Sequence, residues 1–88
     1  MIEITQDIYK DVLSKLIGEI GESNYLSTRN ITGSFDNVMY NFIITAVIYR
    51  DDFKNISEIV PIWWEFHTEI DGVEKMNDFF FPELQKLT

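Results

Sequence analysis

Two long apolar runs in the middle of the chain, Val38–Arg50 and Ile56–Ile70, limit its possible folds more than any other feature. They are separated only by the polar connector Asp51-Asp52-Phe53-Lys54-Asn55. Even positions of the first run are Val38, Tyr40, Phe42, Ile44, Ala46 and Ile48. Those of the second are Ile56, Val60, Ile62, Trp64, Phe66 and Ile70, broken by Glu58 and Thr68. A repeat of two places alternate side chains on one face of a strand, so each run reads as a strand with one buried side. With Arg50 opposite Ile56, Ile44 comes near Ile62, Phe42 near Trp64 and Tyr40 near Phe66. The expectation is a long β-hairpin whose even residues form one continuous core face.

The odd residues set up the functional expectation. They are Met39, Asn41, Ile43, Thr45, Val47 and Tyr49 on one run, and Ser57, Ile59, Pro61, Trp63, Glu65 and His67 on the other. In the same register Ile43 faces Trp63 and Val47 faces Ile59, with Tyr49 and Pro61 alongside. A sheet face meant for water is mostly Thr, Lys and Glu, whereas the middle of this one is apolar. An apolar patch of several hundred Å2 around a tryptophan usually marks an interface; the competing readings are cover by the same chain, with the second helix crossing over, or a surface aromatic lying flat on its neighbours. Ile43, Val47, Tyr49, Ile59 and Trp63 are therefore the candidate protein-interface residues.

The flanks supply the second layer. Ile8, Tyr9, Val12, Leu13, Leu16, Ile17 and Ile20 recur at steps of three and four, predicting an amphipathic helix within Ile4–Ile20. Thr5 is its N-cap, Asp7 suits its positive end, and Gly18 or Gly21 can close it. Tyr25–Gly33, rich in Ser, Thr and Asn, reads as a polar edge strand before the turn-like Gly33–Asn37. Pro61 has no N–H to donate, which places the third run at an edge or gives it a bulge there. Asp71-Gly72 is either a two-residue hairpin turn returning Val73–Met76 as a short fourth strand, or a plain loop. Pro82 is tolerated only in a helix's first turn, so a short terminal helix spans about Pro82–Leu87.

The predicted fold is a single α+β domain over residues 1–88. An antiparallel three-stranded meander, with or without that fourth strand, carries the N-terminal helix and a short C-terminal helix on one face. Eighty-eight residues leave no room for a second core. A 45% apolar and 15% aromatic fraction argue for a packed globule and against disorder. The helix–strand–strand–strand–helix order is similar to that of double-stranded-RNA-binding domains. Those domains place basic residues at the start of the last helix, where this chain has Asp78 and Glu83 beside Lys75 and Lys86.

A net charge of −8 likewise repels nucleic-acid backbones and anionic membranes. Without cysteine there is neither a disulfide framework nor a thiolate zinc site. Met1–Thr5 lacks the basic and apolar start of a secretion signal, and no apolar stretch approaches the ~20 residues of a membrane span. The expectation is a soluble, cytoplasmic protein.

Signals of chemistry are few. Glu65, His67 and Glu69 alternate on the odd face, but neighbours on one strand face stand ~7 Å apart, too far to close easily on one cation. No nucleophile elbow, phosphate-cradling glycine loop or His-Glu-x-x-His helix is present. No enzyme activity, catalytic residue, metal or cofactor is expected. What remains is a protein-interaction module that pairs with itself, as a homodimer, or docks a protein partner. An acidic inhibitor or nucleic-acid mimic is the alternative.

Overall fold

The computed structural model describes residues 4–35 and 37–87. The helix α1 (Gln6–Ile20) is followed by β1 (Tyr25–Phe35), β2 (Val38–Arg50), β3 (Ile56–Ile70), β4 (Val73–Asn77) and the short helix α2 (Phe81–Gln85). The strands form one antiparallel sheet in the order β1-β2-β3-β4. Both helices lie against its inner face, giving the α+β arrangement predicted, with the fourth strand present.

Each junction follows from local chemistry. Thr5 caps α1, its hydroxyl accepting the Ile8 amide at 3.4 Å. Gly21 closes the helix at φ +55, returning its N–H to the Ile17 carbonyl. Between β2 and β3 the Asp51 carboxylate accepts the amides of Phe53 and Asn55, each at 2.9 Å. Asp71 and Gly72 both take positive φ, 52 and 79, the geometry of the tight hairpin turn that joins β3 to β4.

The inner face carries Tyr40, Phe42, Ile44, Ala46 and Ile48 of β2 against Ile8, Val12, Leu16 and Ile20 of α1, all buried. Ile17, placed in the apolar stripe by its spacing, is 44% exposed at the edge of that contact. At the other end Phe79 packs between Tyr9 and Phe42, with ring centroids 4.8 and 4.6 Å apart. The Trp64 indole donates to the Phe79 carbonyl at 3.0 Å, which draws the segment leading into α2 beneath β3.

The register departs from the uninterrupted pairing predicted. Arg50 does pair with Ile56, but Tyr49 pairs with Glu58 and Ile48 with Ile59, so Ser57 is an extra residue. A second slip falls between Ala46–Pro61 and Thr45–Trp63 and leaves Ile62 extra. Each bulge inverts the face assignment of the residues beyond it. Between the two, odd residues of β3 point inward. Ile59, predicted on the interface, is therefore a core residue at 1% exposure, opposite buried Ile48.

Ile62, predicted to face Ile44, is pushed out to 60% exposure, and Trp64 takes its place. The bulges also account for Glu58, which breaks the even series because it stands on the outer face. The third strand is not an edge along its whole length, since β4 pairs with Phe66–Ile70. Pro61 sits in the stretch that β4 does not reach, beside the bulge, where its missing N–H is harmless.

Candidate functional site

The outer face of the sheet is built in rows across the strands. Tyr25, Val47 and Val60 form one row, and Asn30, Ile43 and Glu65 another. Between these two, Thr45 stands between Trp63 and Thr28, bonded to the latter hydroxyl-to-hydroxyl at 2.9 Å. Tyr49 pairs with Glu58 at one end, and Met39 with Glu69 near the other. Four of the five predicted interface residues are thus on one surface. Ile43 and Val47 are half-buried among their neighbours, while Tyr49 and Trp63 are 55% and 45% exposed. Ile59 is absent from it, and Val60, which the alternation assigned to the core, faces Val47 in its stead.

Neither helix crosses to this side. The contacts of α2 run inward: Phe81 lies 5.4 Å from Trp64, and the Gln85 amide donates to the Ile59 carbonyl at 3.1 Å. The outer face therefore keeps an apolar centre of Ile43, Val47, Val60 and Trp63 without cover from the described residues.

Carboxylates border that centre. Along β3 the outward series is Glu58, Val60, Trp63, Glu65, His67 and Glu69, and β4 adds Glu74 opposite Glu69. The His67 ring lies between two of them, Nε2 at 3.5 Å from Glu65 and Nδ1 at 3.5 Å from Glu74. The two carboxylates approach different ring nitrogens, so with the imidazole they do not converge on one point. Among the described residues no group of His, Asp and Glu could hold a metal ion. Across from His67, Asn41 buries its side-chain oxygen with no hydrogen-bond donor. Asn41, His67, Glu69 and Glu74 line a shallow hollow of about 230 Å3.

The basic side chains stand elsewhere. Lys15 is bonded to Asp11 at 2.7 Å and to the Tyr40 hydroxyl at 3.1 Å beneath the sheet. Arg50 donates to the carbonyls of Gly21, Ser23 and Lys54 at 2.8–2.9 Å. Arg29 and Lys75 are in register with buried Ile44 and Thr68, so they belong to the inner face. Lys10 and Lys86 lie at the helices, and Lys54 in the β2–β3 turn. Among the described residues no lysine or arginine is on the outer face.

A tight polar cluster lies on the covered side. Tyr40 donates its hydroxyl to Asp11, and Lys15 bonds to both. Hydrogen bonds from Lys15 and Tyr40 hold the Asp11 carboxyl below its usual range. The bond to Asp11 holds Lys15 above its own. Burial, then the bond to Asp11, pushes the Tyr40 phenol up to about 12. A phenol so protonated is no base at neutral pH, and the cluster serves to pin α1 to β2. Gly33 stands against it, where a Cβ would run into the Tyr40 ring and hydroxyl.

Fold and site together define a class: a two-layer α+β protein with a single sheet, covered on one face and bare on the other. Comparison with protein-family models, curated proteins and solved structures finds no match. No helix among the described residues is long and apolar enough to cross a membrane.

Proposed function

We propose that this chain is a small non-enzymatic protein-interaction module that works through the outer face of its sheet. The observation that carries this is the uncovered apolar centre, Ile43, Val47, Val60 and Trp63, on a molecule whose helices both pack on the opposite side. A contiguous apolar patch of this kind on a soluble domain is a contact surface in waiting. The strand edges tell in the same direction. β1 is polar and bulged between Leu26 and Arg29, and the open part of β3 holds Pro61 and the Ile62 bulge. Such devices discourage a foreign strand from pairing at these two stretches, which favours the face over them as the docking surface.

The acidic-inhibitor reading draws on the carboxylates around that face. It is the second choice because acidic residues also stand on α1, at Asp7 and Glu19, and in the β2–β3 turn, at Asp51 and Asp52. A mimic of a nucleic-acid backbone needs its charges gathered on one surface.

Site-specific photocrosslinking in the cells that make the protein tests the docking face. A benzophenone side chain at Val47 or Trp63 should give one discrete crosslinked product, and the same group at Ser14 or Glu19 on α1 should give none. Equal products from both sides, or none from the sheet, would refute the assignment.

A further inference from the structure

We infer that the occupant of the outer face is a basic protein segment, one that sets apolar side chains between lysines or arginines, and not a second copy of this chain. The inference rests on the docking role proposed above and names the chemistry of the partner. A two-fold dimer formed through this face would present the same patch from both sides. That patch offers Glu58, Glu65, Glu69 and Glu74 and, among the described residues, no lysine or arginine. A second copy brings no lysine or arginine to these carboxylates. Enclosing them without counter-charges is strongly unfavourable, because the desolvation is not repaid by attraction. His67 offers no relief, being already flanked by Glu65 and Glu74.

The order of side chains along β3 gives the pattern a partner must match: acid at Glu58, apolar at Val60 and Trp63, acid again at Glu65 and Glu69. An apolar centre flanked by cations is the complement. The hollow lined by Asn41, His67, Glu69 and Glu74 has the same polarity, and an ammonium or guanidinium entering it would pair with its carboxylates.

Three synthetic peptides of one alternating apolar pattern, flanked by Lys, by Gln or by Glu, make the test. Each is titrated into the full chain while the Trp63 indole and the Val47 and Val60 methyl resonances are followed by NMR. The expected result is movement of those resonances, with the Lys peptide binding about tenfold tighter than the Gln peptide, as a few exposed ion pairs would give. That preference should vanish in ~0.5 M salt, and also in the Glu65→Gln/Glu69→Gln/Glu74→Gln variant. Equal binding of all three peptides at those resonances would overturn the basic partner while leaving the docking face intact. If the peptides do nothing and the resonances shift with the protein's own concentration, the occupant is a second copy and the inference falls alone. Binding confined to other surfaces, or no change in any titration, overturns both.

Discussion

Tyr40 shows how one residue's surroundings set a property of the whole chain. Folded, it holds its proton up to about pH 12, and Lys15 too is protonated beyond its ordinary range. Unfolded, both release protons near their usual values of 10.0 and 10.5. Native protein thus binds more protons in that window, and stability falls as pH rises from about 10 to about 12. Asp11 acts oppositely: its lowered value gives stability that is present above the usual 3.8 and lost as pH falls through the folded value. Thermal melts between pH 8 and 12 should therefore show a falling melting temperature. Tyr40→Phe should be about 1 kcal/mol less stable at neutral pH, from the lost hydrogen bonds, with a shallower alkaline decline. Superimposable pH curves for the two proteins would refute this role.

At the level of elements, the two bulges of β3 decide which side chains are core. Ile59 and Val60 are adjacent and chemically alike, yet one is sealed against Ile48 and the other looks outward beside Val47. Ile59→Ala should cost about 2–5 kcal/mol by chemical denaturation, the range for an aliphatic cavity in a core, and Val60→Ala less than about 1 kcal/mol. Comparable losses would mean the bulges are misplaced. Arg50 is the second structural hinge-pin, its planar fork tying the α1–β1 junction to the β2–β3 turn. Lysine cannot reproduce that fork, so Arg50→Lys should lower stability by about 1–2 kcal/mol, read in the same denaturation experiment.

These elements also show what alternation reveals and what it hides. The cap at Thr5, the α1 stripe and the β2 core positions were all legible, because each depends on spacing within one segment. Pro61 signalled an edge or a bulge, and the second slip falls beside it, but which residues were extra was not legible, because the six successive apolar residues Ile59 to Trp64 look the same in any register. For the first bulge the visible signal was Glu58, a charge in a predicted core position. Taken as a mark of inversion, it would have moved Ile59 inward and Val60 outward. For the candidate site this means that Ile43, Val47, Tyr49 and Trp63 were readable from pattern, while Val60 and the carboxylate border required the pairing of β3 with β4.

At the scale of the molecule, some 45 Å along its longest extent, the single sheet is covered on one side only. Small domains are stable by about 5–15 kcal/mol in total, so side chains that fold nothing are conspicuous. Val60 and Trp63 stand opposite Val47 and Thr45, each cross-strand pair worth about 0.2–1 kcal/mol. The claim that this face exists for docking therefore has a direct thermal test: the melting temperature of the Val60→Thr/Trp63→Thr double variant, in which both replacements keep strand propensity. Serving association and not folding, the pair can be lost for no more than about 2 kcal/mol, a fall of at most about 15 °C in a chain of this size. A fall of about 25 °C or more, or no folded protein at all, would show that the outer apolar residues hold the protein together, and would contradict the account.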